Sequence, residues 1–270
     1  MTADTGPRDQ KPAQPRLQRH GRALLPFSLA LALLLWYLFA RTGQVPAYIL
    51  PSPGSVLERL AETVLDGSLV RHTLVTLQEV LAGLAVGVIF ATLLGYILAK
   101  SRSFERFLSP YIVASQSIPI VAVAPLLVIW FGPGLLSKVM ICALIVFFPV
   151  LINTIVGVRS VPEDLRDLMR SLGSTRWQTI TLLEVPASLP VFLAGLRIGA
   201  TLAVIGAVVG EFVGADRGLG FLISRGKWEY DIPAVFVAVV TLVLMALILY
   251  SLVLLLENWL LAWREKPENF

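Results

Sequence analysis

Apolar residues in this chain fall into long unbroken runs, not into the alternation of a half-buried strand. The runs lie at 24–40, 75–99, 110–131, 138–157, 187–210 and 234–256. A helix needs about 20 largely apolar residues to cross a hydrocarbon core. Membrane β-strands are excluded, because they alternate over about 10 residues. The pattern predicts an all-α membrane protein with six transmembrane helices. The run at 24–40 sits where a signal peptide would. It is long for one, and small residues do not cluster at its end, so it reads as a retained helix.

Composition points the same way. The 270 residues are 56% apolar and only 15% charged, and mean hydropathy is +0.78. Soluble domains lie nearer 45–50% apolar and about 25% charged, so a soluble globule could not cover its surface. The single cysteine, Cys142, cannot close an intrachain disulfide. Net charge is +4, and its distribution gives it meaning. With the N-terminus inside, fourteen of the 22 basic residues fall on that side and seven on the other, with Arg197 inside a span. Basic residues accumulate on the cytoplasmic side. Both termini are therefore expected in the cytoplasm, and the positive balance calls for no nucleic-acid partner.

The expected organisation follows. Residues 1–23 form a basic, Pro- and Gln-rich disordered cytoplasmic tail. Residues 24–40 are the first transmembrane helix, 41–74 an external loop, 75–263 a five-helix core, and 264–270 the cytoplasmic C-terminus. In the external loop Ser55 and Glu58 have capping-box spacing. Val56, Leu57, Leu60 and Val64 then line one face of a short helix, either lying on the membrane surface or serving as a plain connector.

The longest cytoplasmic connection, 158–186, carries the most information. Pro162, Glu163 and Asp164 are helix-start signals. Leu165, Leu168, Met169 and Leu172 follow as one apolar stripe, and Gly173 suits a left-handed cap. A second short helix is expected from Ser174 through Trp177 to Leu182, with Pro186 and Pro190 marking re-entry to the bilayer. A two-turn helix is unstable alone in water. Its stripe must pack on the chain's own helices or lipid, or enter a groove of a cytosolic partner.

Here the sequence resembles a known family. Asp167-Leu168-Met169, three residues, Gly173, nine residues, then Leu183-Glu184-Val185-Pro186 is similar to the permease signature of ABC importers. That signature reads Glu-Ala-Ala, three residues, Gly, nine residues, Ile-x-Leu-Pro. Leu50-Pro51-Ser52-Pro53, Trp130-Phe131-Gly132, Phe147-Phe148-Pro149, Gly195-Leu196-Arg197 and Gly218-Leu219-Gly220 resemble the branch for nitrate, sulfonates, taurine and thiamine-pyrimidine precursors. Asp167 stands for Glu, and Leu168 and Met169 for two alanines, giving a bulkier face. The resemblance implies the type I importer permease fold in the bacterial inner membrane. It also implies a coupling helix gripped by a separate ABC ATPase subunit, a solute-binding protein at the outer face, and a homodimer. Leu168, Met169 and Leu172 would then make apolar contacts, Asp167 a polar one, and Gly173 the bend. Trp177 would be either an anchor or a membrane-interface residue.

The chain carries no Gly-x-x-x-x-Gly-Lys-[Ser/Thr], no nucleophile elbow and no His-Glu-x-x-His. His20, His72 and Cys142 make no metal cluster. No catalysis is expected of the chain itself, and ATP and Mg are expected only in the ATPase partner. Polar residues within spans are candidates for the path: Ser115, Gln116 and Ser117 in the third and Asn153 with Thr154 in the fourth, unless they serve helix–helix hydrogen bonds. Arg197 could attract an anion, but the structural reading is preferred, with helix-end carbonyls or Glu184 as its partner. Glu211 is expected near the outer end against a loop or the binding protein, and Glu79 at the interface. An ion-coupled secondary transporter would show a pair of intramembrane carboxylates, and none is evident in the pattern. A membrane scaffold or embedded enzyme is the other alternative.

Overall fold

The computed structural model describes residues 17–42, 46 and 48–263. Among them are no strands, and eleven α-helices follow in chain order. They are α1 Leu17–Arg41, α2 Pro53–Leu65, α3 Ser68–Lys100, α4 Arg102–Gln116, α5 Ile120–Phe131 and α6 Leu135–Arg159. After these come α7 Glu163–Ser171, α8 Arg176–Thr179, α9 Val185–Gly214, α10 Leu219–Trp228 and α11 Ile232–Leu260. A π turn, Ile180–Glu184, joins α8 to α9. Residues 1–16 and 264–270, where the sequence places tails, lie outside the described residues. Helix α1 begins inside the stretch expected as the N-terminal tail.

Among the described residues, four helices are long and apolar enough to span a membrane: Ser68–Lys100, Leu135–Arg159, Arg176–Gly214 and Ile232–Leu260. The expected span at 110–131 is not one helix. It is α4 and α5, bent by 94° at a short break. Pro119 has no N–H to continue the ladder, and a residue before proline avoids the helical region. Ile118 accordingly lies outside both helices, and Pro119 itself is extended at the N-cap of α5, with ψ 120.

Three more expectations are corrected. The 41–74 loop is mostly helix, because α2 ends at Leu65 and α3 already starts at Ser68. Ser52, not Ser55, caps α2: its hydroxyl accepts from the Ser55 N–H at 3.1 Å, and Pro53 takes the first helical position. Helix α8 is not a separate short helix. It is the front of the continuous Arg176–Gly214 span, started by a capping box between Thr175 and Gln178. In the turn before α3, Asp66 is held below the usual carboxylate range by the Ser68 hydroxyl and N–H.

The described residues up to Ser55 and those from Val56 onward form two compact units. In the first, the Trp36 indole N–H donates to the Pro51 carbonyl at 3.1 Å. In the second, α6 is the central helix, with α3 and α9 packed on either side. Lipid gives helices no hydrophobic reason to associate, so close backbone approach must supply dispersion contact. A Cβ on Gly83 would lie 2.2 Å from the Cβ of Cys142, and one on Gly206 would lie 2.8 Å from its Cα. The buried Cys142 is thus clamped between two glycines, and its thiol donates to the Ala203 carbonyl at 3.4 Å.

Gly206→Val drives a side chain into the α6 backbone and is expected to cost about 1–3 kcal/mol or more, as overpacking does. A lowered unfolding temperature in detergent checks this. Gly54→Ala, whose new Cβ meets only the Ser52 hydroxyl at 3.8 Å, should leave that temperature unchanged.

Candidate functional site

The π-turn end of the bundle is built around one carboxylate. Glu184 is 1% exposed and pairs with Lys100 at the end of α3. The Tyr96 hydroxyl donates to its second oxygen at 3.0 Å. The Arg166 Nε of α7 stands 3.6 Å away, and an Arg166 Nη donates to the Val158 carbonyl at 2.7 Å. A buried charge without partners would cost several kcal/mol, so these groups hold α7 to the ends of α3, α6 and α9 together. Arg159 adds a second tie. It donates to the Leu98 carbonyl at 3.0 Å and to Glu105 at 2.8 Å, joining α6 to α3 and α4.

Helix α7 closes in a Schellman motif. The Gly173 N–H donates to the Arg170 carbonyl at 2.9 Å and the Ser174 N–H to the Met169 carbonyl at 3.0 Å. Gly173 has φ 69 with open space around it, so conformation rather than crowding calls for glycine. Apart from Met169, the apolar stripe stands clear of the chain's own helices. Leu168 is 53% exposed, Leu172 71% and Trp177 72%; Met169 is half-buried. Asp167 is exposed and pairs with Arg170 at 2.7 Å.

At the opposite end, Glu211 is buried. Its carboxylate accepts from the Thr76 hydroxyl at 2.6 Å, from the Phe221 N–H at 3.3 Å and from the Gly220 N–H. Thr76 Oγ accepts from the Leu219 N–H at 2.8 Å, and His72 Nδ1 from the Gly218 N–H at 2.9 Å. Four successive N–H groups of the loop into α10 are therefore satisfied by α3 and α9. A Cβ on Gly218 would lie 2.2 Å from the Glu211 carboxyl, and Gly218 has φ 113. The Gly218-Leu219-Gly220 run is what lets the loop lie on that carboxylate. Glu79 is buried too, not at the interface, and pairs with the buried Lys138 at 3.3 Å. Its carboxyl neighbours that of Glu211, so a pair of buried carboxylates exists after all. The two come from different helices, which hid them from a reading of single spans.

The other candidates separate. Arg197 pairs with Glu257 of α11 at 3.2 Å and lies over the Tyr250 ring, not with Glu184. Asn153 donates to the Pro149 carbonyl at 2.8 Å, within its own helix. Ser115 and Ser117 donate back to the Tyr111 and Val113 carbonyls. With Gln116 they flank the α4–α5 break, all exposed. Sequence reasoning missed Lys100, Arg166, Lys138, Thr76 and His72. A lone Glu184 inside an apolar re-entry was the one signal pointing to a partnered cluster.

This architecture defines a polytopic α-helical membrane subunit with a short helix displayed at one end. Residues 80–262 match the family described as the binding-protein-dependent transport system inner membrane component. The chain belongs to that family: it is an ABC transporter permease of the bacterial inner membrane. It is 47% identical over 239 residues to the riboflavin transport system permease protein RibX of Chloroflexus aurantiacus, covering 88% of this chain and 89% of that one. The formylaminopyrimidine transport permease protein ThiX of Halalkalibacterium halodurans is 38% identical over 251 residues, 93% of this chain and all of that one. The taurine permease TauC of Escherichia coli is 32% identical over 223 residues, 80% and 81% of the two chains. The fold is that of the MetNI methionine ABC transporter, with a TM-score of 0.65 at 19% identity over 73% of this chain and 97% of that one.

Glu211→Ala strands buried N–H groups at Gly220 and Phe221, each costing about 1–3 kcal/mol. The expected result is a lower unfolding temperature than for Glu211→Gln, which keeps an acceptor oxygen. Thermal unfolding of the three purified proteins in one detergent makes the comparison.

Proposed function

We propose that this chain is the translocating subunit of an ATP-driven importer. Its ATPase is a separate polypeptide that grips α7 and holds the ATP and Mg. Its cargo is a vitamin or vitamin precursor handed over by an external solute-binding protein. The observation that carries this reading is the outer face of α7. Leu168 and, at its C-cap, Leu172 stand in solvent, with Trp177 of the following α8 exposed beside them, while the other face is tied to Val158 and Glu184. A nine-residue helix with such a face is completed by a groove, and a push on it reaches the ends of α3, α6 and α9 through Arg166 and Glu184. In this reading six spans, counting 24–40, place both termini and α7 in the cytoplasm. Two copies form the path about a two-fold axis. ATP-driven closure of the partners shifts the bundle between inward- and outward-open packings.

The charge inventory supports the cargo class. Arg197 and Lys138, basic residues inside spans, are already neutralised by Glu257 and Glu79, which leaves them poor receptors for sulfonate or nitrate. The hollow at the α4–α5 break, about 540 Å³, is lined by Ile118, Pro119, Val123 and Phe148. With the Ser115 and Ser117 hydroxyls turned back on their helix, the Gln116 amide is the polar group offered there. A largely apolar hollow with an aromatic ring and one amide suits a flat heterocycle better than a small anion. The relatives named for riboflavin and formylaminopyrimidine transport point the same way. An ion-driven carrier is disfavoured because Glu79 and Glu211 are occupied by Lys138 and by the loop N–H groups.

Leu168→Glu with Leu172→Glu is expected to abolish co-purification of a co-expressed ABC ATPase partner, with the permease still folded. Each lost apolar contact is worth about 1.5–3 kcal/mol, so more than tenfold weaker association is the scale. Undiminished association would refute the coupling assignment. For the cargo, vesicles carrying the complete transporter and its binding protein should take up riboflavin or an aminopyrimidine and not taurine; preferred uptake of taurine would overturn the substrate class.

A further inference from the structure

Two hollows on the second unit meet at one pair of residues. The larger, about 730 Å³, lies between the end of α3, α7 and α8 and is lined by Lys100, Arg166, Arg170 and Arg176 against the single carboxylate Glu184. The second, about 380 Å³, runs up between α3, α6 and α9 and is lined by Leu93, Ile97, Val158, Val185, Leu189 and Phe192. Tyr96 and Glu184 line both. A cationic mouth and an apolar shaft thus adjoin at Tyr96 and Glu184, on the flank of helices apolar enough to span a bilayer.

Charge sharpens the picture. Lys100 is committed to Glu184, and Arg170 is shared with Asp167. Arg166 stands 3.6 Å from the same Glu184 and gives its hydrogen bond to a neutral carbonyl, while Arg176 has no acidic partner among the described residues, so four cations share the two carboxylates Glu184 and Asp167. The mouth therefore keeps an uncompensated positive charge beside an apolar channel. Basic pockets between membrane helices on the cytoplasmic side match anionic headgroups, and the shaft supplies the place for an acyl chain. Arg166 and Arg170 stand one turn apart on α7, so its Leu168–Leu172 face remains free for a partner.

We propose that the two hollows together bind one anionic phospholipid of the cytoplasmic leaflet. The phosphate sits among Arg166, Arg170 and Arg176, and an acyl chain lies along Leu93, Leu189 and Phe192. The lipid bridges α7 to the spans beside the Glu184 tie, so its presence stiffens the joint through which α7 moves the bundle. This rests on the cytoplasmic placement of α7 in the proposed function. The lipid itself is read on the permease alone, without ATPase or transport, so the two assignments fail separately.

The test uses the full chain purified in detergent, supplied with phosphatidylglycerol or phosphatidylcholine and examined by native mass spectrometry. Phosphatidylglycerol is expected to remain bound and phosphatidylcholine to be lost. Arg176→Gln should weaken phosphatidylglycerol retention about fivefold, the scale for one basic side chain near an anionic lipid. Leu189→Trp, which fills the shaft and leaves the mouth intact, should abolish retention. Circular dichroism confirms that both variants keep the wild-type helix content. Equal retention of the two lipids, or retention unchanged in both variants, overturns the proposal. Displacement of phosphatidylglycerol by glycerol 3-phosphate at equal concentration also overturns it, and assigns the mouth to a soluble phosphate.

Discussion

The approach of three backbones at Cys142 is the constraint on which the bundle depends. A lipid solvent does not drive apolar helices together, so α3, α6 and α9 are held by contact at a distance that side chains would forbid. Gly83 and Gly206 permit that contact from opposite sides. Farther along, Gly95 packs on Thr154 and Gly195 on Asn153 in the same manner. The central helix has no slack against either neighbour, so a displacement of one end is carried along the bundle rather than absorbed within it.

Polar ties then fix the two ends of that rigid core. At one end Glu211 and Thr76 take up the N–H groups of the loop into α10. At the other, Glu184 collects Lys100, Tyr96 and Arg166. Each carboxylate sits where water is scarce, and each has partners from at least two helices. Breaking one partner leaves a buried group unsatisfied, which costs more than the bond itself gains. The ends therefore keep discrete arrangements, the behaviour expected of an element that switches between packings.

Local features of the chain were legible in the sequence, and contacts between distant residues were not. Leu165, Leu168 and Leu172 repeat at helical spacing and Gly173 ends them, so α7 could be placed to within a residue or two. The break at Pro119 lay in plain view, but proline is common in membrane helices, and only tertiary packing turns a kink into a bend near a right angle. Helix α10 had no such pattern: Leu219–Trp228 mixes glycine, serine and basic residues and is helical because Gly218 and Leu219 are seated by His72 and Thr76. Glu79 and Glu211 lie 132 positions apart, and no periodicity within a span reports that they meet. The same holds for Arg197, whose partner Glu257 belongs to the last helix.

The π turn at Ile180–Glu184 makes this stretch of the permease tolerant of chain length. A π turn holds one residue more than the regular helix it interrupts, and its wider loop takes up the roughly 100° and about 1.5 Å that the surplus residue would add to a plain helix. Deleting one residue there would let the segment heal into plain α-helix with Arg176 and Trp177 on nearly the same side of the cylinder. A deletion within the regular turns of α9 has no such slack and would swing them by about 100°.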